Sequence, residues 1–375
     1  NGKVFILTVG KFAKNNSVLF FAVTKMSKDL PFFDVELSLT DDVKLMTMAK
    51  EILSKLKPTW HDENIAFNFF TTGITNKVFY ATHSTANDVE HDDRVIFRVF
   101  GRNTERIIDR NAEVENWLRL AEVGCAAPIF ARFSNGIVCG YLDGETLTVA
   151  RVREQKIVTE ICRSLARIHM LEPTDRDTVK PILFQKAEEF LRNFSARFES
   201  SSKQQKFDAF FLENDISLRS DYAKLQQLIN ALKTRIVFCH NDLLIQNILY
   251  DSSTGKVSFI DYEYAGFNYQ GFDIANHFCE YAGVQNVDYS LCPSTQEKRS
   301  WIVQYLNFFL QHPPSTEDVE EMLSNSTIFE AAAHFFWSIW ALVQSQNSSI
   351  DFDYLGYGIL RYKMFRSLMQ TNEKI

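Results

Sequence analysis

From residue 41 to residue 56 the apolar side chains Val43, Leu45, Met46, Met48, Ile52, Leu53 and Leu56 recur at helical spacing, with Thr40 placed as the N-cap and acids in the first turn. An amphipathic helix is predicted, and Pro58 ends it. The period then changes. Residues 64–70 and 77–82 alternate in β fashion around Thr71-Thr72-Gly73-Ile74-Thr75-Asn76, which predicts a hairpin with a polar tip. Residues 94–101 read as a buried strand with Arg98 in its middle, residues 105–123 as a helix, and residues 128–133 and 136–142 as two further strands.

Beyond residue 142 the helical period takes over. Residues 155–170 carry Ile157, Ile161, Leu165 and Ile168 on one face and end near His169, a position where a satisfied structural histidine is the expected role. Residues 181–234 read as two helices joined by a polar connection over 199–206. Further helices are predicted over 272–281, 295–311, 315–346 with a break, and 351–370. The first 30 residues hold two apolar runs, 4–7 and 18–23, interrupted by Lys11, Lys14 and Lys25 and too short to span a membrane, so a variable extension of unassigned role is expected there. The pattern is α+β, strand-rich over residues 31–142 and mostly helical over 143–375, and a chain of this length is expected to form two lobes or one large domain.

Composition narrows the function. The 375 residues are 46% hydrophobic, enough for a large core, and a net charge of −7 argues against nucleic acid as the main partner. The six cysteines are widely spaced with no Cys-x-x-Cys pair, which fits free thiols in a reducing compartment, hence a cytoplasmic location, better than a zinc site or disulfide framework.

The chemistry is concentrated where two short β-type runs flank a polar loop. Phe238-Cys239-His240-Asn241-Asp242 is followed by Asn247, and Val257-Ser258-Phe259-Ile260 ends on Asp261. A carboxylate to take a hydroxyl proton, an amide oxygen five residues on and a strand-end carboxylate form a phosphoryl-transfer pattern, in which Asn247 and Asp261 suit the octahedral oxygen coordination of Mg²⁺. Asp is also common at turn caps and strand ends, so it is the ordered set that carries the reading. Glu263 adds a carboxylate that could reach a second ion through water. Arg98, a long cation among β-branched and aromatic neighbours, needs an anion. Glycine and hydroxyls at the hairpin tip can bring backbone N–H groups and Thr75 to nucleotide phosphates.

The run after Asp261, from Tyr262 through Asp273 and Glu280 to Gly283, resembles the choline/ethanolamine kinase family, with His240-Asn241-Asp242 in place of the His-Arg-Asp of protein kinases. The resemblance extends from about Gly73 to the C-terminus. It implies a protein-kinase-like fold, ATP and Mg²⁺ as cofactors, and phosphorylation of a small amino alcohol. On that template Gly73, Thr75 and Asn76 form the phosphate loop, and Arg98 stands where kinases keep their strand lysine, with Glu113 as its ion-pair partner. Residues 139–142 form the hinge, and Asp143 reaches the ribose. Tyr264, Glu280, Trp337, Trp340 and Tyr357 then hold the ammonium beside Asp242, with Tyr354 on the same helix; core packing is the alternative role for each ring. Glu280 provides a counter-charge. The residues after it, Tyr281-Ala282-Gly283-Val284, and the loop Leu243-Leu244-Ile245-Gln246 are closer to the ethanolamine branch than the choline branch. Ethanolamine is therefore the expected substrate, with choline or both as the alternative, on the way to phosphatidylethanolamine through CDP-ethanolamine. Stable membrane insertion is not expected, a homodimer is allowed for, and Asn241 in place of the arginine implies activity without phosphorylation. An aminoglycoside-type phosphotransferase, a protein kinase and a non-catalytic kinase-like binding protein are the rival readings.

Overall fold

The fold is that of a computed structural model, which describes residues 30–70, 76–84, 93–101, 109–173, 179–348 and 351–372. The small lobe opens with β1 (Phe32–Phe33) and α1 (Asp42–Leu56), followed by β2 (Ile65–Phe69), β3 (Asn76–His83), β4 (Asp93–Phe100), α2 (Arg110–Glu122), β5 (Ile129–Phe133) and β6 (Gly136–Gly140). The six strands run in the order β1-β5-β6-β4-β3-β2, antiparallel except for the parallel β1–β5 pair. One face buries Phe79, Phe97, Val99 and Val138 against Leu45, Ala49, Ile52 and Leu53 of α1, which is why that helix carries an apolar stripe. Its cap is Asp41 rather than Thr40: the carboxylate accepts from Lys44 N at 3.0 Å, and a charged acceptor complements the positive end of the helix. Gly136 lets β6 approach β4 closely, since a Cβ there would sit 2.3 Å from the Arg98 carbonyl oxygen.

The large lobe runs through β7 (Glu145–Thr146), α3 (Gln155–His169), α4 (Ile182–Asn193), α5 (Ser201–Phe207), α6 (Leu218–Asn230), β8 (Ile236–Cys239), β9 (Ile248–Asp251), β10 (Lys256–Phe259), β11 (Gly266–Tyr269), α7 (Gln270–Cys279), α8 (Thr295–Leu310), α9 (Thr316–Asn347) and α10 (Tyr354–Asn372). Three sequence-based expectations change here. The polar stretch 199–206 is not a loop: Ser200 caps α5, which continues as a π-turn through Leu212 and buries Phe207 and Phe211. The 315–346 helix has no break, because Ser315 and Asp318 form a capping box and Ala331, Ala332 and Ala333 sustain the helix through the core. Helix α2 begins at Arg110 among the described residues. Helix α9 is long and apolar enough to cross a membrane, yet 78% of its apolar window is buried inside the molecule, as expected of a central core helix.

Candidate active site

The catalytic loop is anchored from behind by one carboxylate. Asp273 of α7 accepts from His240 N (2.8 Å), from Asn241 N (2.7 Å) and from His169 Nε2 (2.9 Å), while Tyr305 Oη lies 2.6 Å from His169 Nδ1. Burial works against an ionised Asp273, but the His169 hydrogen bond and the nearby imidazoles hold its pKa below the ordinary value. His169 is thus a structural histidine, as expected. The turn itself requires Asn241 at φ 65°, a left-handed conformation that Asn tolerates better than most residues. Asn241 Nδ2 donates to Tyr264 O (2.9 Å), tying this loop to the segment after Asp261.

On the front of the loop the segments that carry Asp242, Asn247 and Asp261 are hydrogen-bonded to one another. Asn247 donates its amide N–H to Asp242 O at 2.8 Å, which leaves its Oδ1, a neutral oxygen, able to hold a cation. Its own carbonyl accepts from Ile260 N (3.0 Å), and Ile260 O lies 3.0 Å from His240 Nε2, so β8, the Asn247 turn and the end of β10 are stitched together. Asp261 follows at φ 67°, a strained position for a non-glycine residue. Burial, with added negative charge from Asp261, Glu280 and Glu263, raises the proton affinity of Asp242 well above the usual carboxylate range. The oxygen-only donor set of Asn247 and Asp261 fits Mg²⁺ and would not select a soft metal.

A buried charge cluster joins the two lobes beside Asp261. Arg98 Nη2 lies 2.6 Å from Asp261 Oδ1, 3.2 Å from Glu263 Oε2 and 3.2 Å from Glu113 Oε1. The kinase-like pair of Arg98 with Glu113 is therefore present, and the same guanidinium also grips both carboxylates from the opposite lobe. Burial opposes the Arg98 charge, but Asp261, Glu113 and Glu263 outweigh it and raise its pKa. Glu263 is pushed up to about 7 by burial and by Asp261, against the pull of Arg98. A second arginine, overlooked in the sequence, completes the cluster: Arg110 donates to Glu113 Oε2 (2.7 Å) and Asn76 Oδ1 (3.1 Å). Asn76 Nδ2 in turn reaches Glu263 Oε2 at 3.5 Å. Gly73 and Thr75 lie outside the described residues. Asp143 is exposed and paired with Arg94 at 2.8 Å, on the surface rather than in this cluster.

Aromatic side chains gather on the other side. Trp337 meets the Tyr264 ring edge-on at 5.2 Å and donates Nε1 to Asn276 Oδ1 at 2.8 Å. Trp340 donates Nε1 to Tyr264 Oη at 2.9 Å and stands 5.5 Å from Trp337 and 5.8 Å from Tyr354. The i,i+3 spacing on α9 thus brings both indoles to one tyrosine. Glu280 already has a cationic partner. It is not a free counter-charge: Arg361 Nη1 donates to its Oε1 at 2.9 Å and to Tyr357 Oη at 3.3 Å, and both charged side chains are buried. The sequence signal for Arg361 was a lone cation on the apolar face of α10, four residues after Tyr357.

Comparisons with known proteins show the family. The choline/ethanolamine kinase family model matches residues 67–366. The chain belongs to the choline/ethanolamine kinase family. Ethanolamine kinase 2 of Homo sapiens is 36% identical over 327 residues, covering 87% of this chain and 81% of the relative. Ethanolamine kinase 1 of Mus musculus is 33% identical, covering 90% and 93%. The solved structure of a Plasmodium vivax ethanolamine kinase superposes with a TM-score of 0.74 at 24% identity, covering 88% of this chain and 91% of that one, which shows the shared protein-kinase-like fold. Family membership makes the strand-rich lobe, the loop at Asp242 and the Asp261 segment parts of a kinase scaffold.

Proposed function

We propose that this protein transfers the γ-phosphoryl group of ATP to the hydroxyl of ethanolamine, giving phosphoethanolamine for the CDP-ethanolamine route to phosphatidylethanolamine. The observation that carries the reading is the hydrogen-bonded unit of Asp242, Asn247 and the end of β10, with Arg98 at Asp261. Asp242 accepts the hydroxyl proton as the bond to phosphorus forms; its raised proton affinity suits a base that must hold that proton transiently. Asn247 and Asp261, with Glu263 behind them, would hold Mg²⁺, which would supply charge neutralisation at the phosphates. Arg98, kept protonated and oriented by Glu113, exchanges part of its grip on Asp261 and Glu263 for phosphate oxygens, a geometry guanidinium matches well. Tyr264, Trp337, Trp340 and Tyr357 offer ring faces to the ammonium, and Glu280 an acceptor. The six free thiols support a reducing, cytoplasmic setting.

The test is ADP release by the purified protein with ATP and Mg²⁺, run with ethanolamine and choline side by side. Turnover that needs Mg²⁺ and is higher with ethanolamine is expected. Equal or greater kcat/KM with choline would favour the second reading, for which the cluster of rings at Tyr264 is the favouring observation, and no turnover with either would overturn both.

A further inference from the structure

Two buried groups next to the aromatic cluster keep part of their hydrogen-bonding capacity unused. Glu280 and Arg361 are each about 1% exposed at the side chain and share one good bond at 2.9 Å, yet Glu280 Oε2 and Arg361 Nε and Nη2 have no hydrogen-bond partner. Buried polar atoms are nearly always satisfied, and a buried ion pair adds little stability over apolar side chains of similar volume, so an incompletely satisfied pair calls for a role. Its surroundings indicate which. Glu280 follows α7 one turn after Asn276, whose side chain bridges Asn241 O (3.3 Å) and Trp337 Nε1 (2.8 Å), the catalytic loop on one side and the ring cluster on the other. Arg361 also holds Tyr357 Oη, so one guanidinium fixes both an acid and a ring of the expected head-group site.

We propose that Arg361 is a positioning residue that sets head-group specificity: by occupying Glu280 Oε1 it presents Oε2 as a single directed acceptor for an N–H of a primary ammonium. The proposal rests on the amino-alcohol reading given above. A primary ammonium carries three donors and gains from a fixed acceptor, whereas a quaternary ammonium has none and relies on ring faces and diffuse charge. The partly neutralised carboxylate also offers less undirected attraction to a quaternary head group. The ion pair therefore favours ethanolamine over choline through geometry and not through net charge.

The experiment measures kcat and KM for ethanolamine, choline and ATP in the wild type and in Arg361→Met, Arg361→Lys, Glu280→Gln and the double variant Arg361→Met/Glu280→Gln. For Arg361→Met the ethanolamine-to-choline ratio of kcat/KM is expected to fall at least about tenfold, the scale of one lost hydrogen bond to a charged group, through the KM for ethanolamine and with the KM for ATP unchanged. Arg361→Lys should recover part of the ratio, and the double variant should be no worse than Glu280→Gln alone. Should Arg361→Met fail to fold, the double variant, which leaves no unpaired buried charge, and Arg361→Lys carry the same comparison. An unchanged ratio in the folded single Arg361 variants, or a double variant clearly worse than Glu280→Gln alone, overturns the proposal while leaving the ethanolamine reading intact. A wild type inactive on both alcohols overturns that reading and the proposal with it.

Discussion

Glu263 and Tyr264 are neighbours in sequence and members of opposite environments. Glu263 belongs to a charge cluster assembled across the two lobes, from β4 and α2 on one side and the segment after β10 on the other. Tyr264 belongs to an aromatic cluster built wholly within the large lobe, against α9. The difference lies in what holds each one. The charged side is joined by long-range ion pairs such as Arg98–Asp261, so it depends on how the lobes meet. The aromatic side is an extension of a packed helical core in which Trp337, Phe336 and Phe335 are already buried, so it is formed before any substrate arrives. On the proposed reading, the nucleotide side would have to rearrange on binding, whereas the head-group side is packed in advance.

The largest break in this comparison comes from the residue between the two regions. Asp242→Ala should lower kcat about 10²- to 10⁴-fold with little change in either KM, the usual range for a general base; a folded variant with near-normal kcat would remove Asp242 from that role. Arg98→Met should lower kcat/KM for ATP about tenfold to hundredfold, matching the ~1.5–3 kcal/mol of a hydrogen bond to a charged group, and leave the amino-alcohol KM almost unaltered. Trp340→Ala should do the reverse. Loss of one ring face worth ~0.5–2 kcal/mol raises the amino-alcohol KM about twofold to thirtyfold and spares the ATP KM. If steady-state kinetics showed both variants acting on both substrates equally, the division into two regions would be wrong.

Much of the charged side could be read from the chain, because each residue carried its own contradiction. Arg98 sits in an apolar strand and needs an anion, and Asp242, Asn247 and Asp261 keep a spacing that the chemistry demands. Arg110 escaped notice because an arginine within the helix expected over residues 105–123 looks like a solvated residue, and only the fold brings Asn76 and Glu113 to it. The aromatic side was harder. Trp337 and Trp340 announce a shared helix face, but packing and ligand binding leave the same periodicity, and the partner of Glu280 lies 81 residues further along the chain on another helix. Local errors had local causes: Ser200 capping α5 turned a polar stretch into a helix, and alanines carried α9 through the expected break.

The smallest expected effect concerns how the two regions share control of the base. Burial is the first cause of the raised Asp242 pKa, followed by the charges of Asp261 from the ion-pair cluster and Glu280 from beside the aromatic cluster. A base with a raised pKa is lost to protonation as pH falls through that value, so the acid limb of kcat/KM for the amino alcohol should lie above the ordinary aspartate range, with a tenfold loss per pH unit below it. Glu280→Gln removes one negative neighbour and should move that limb to lower pH by roughly one unit, since a unit charge several ångströms away at an effective dielectric near 20 is worth only ~1–2 kcal/mol after partial offset by Arg361. Saturating Mg²⁺ and ATP should move it in the same direction by offsetting Asp261. A limb that shifts with Mg²⁺ and ATP but not with Glu280→Gln would place control of the base on the charged side alone.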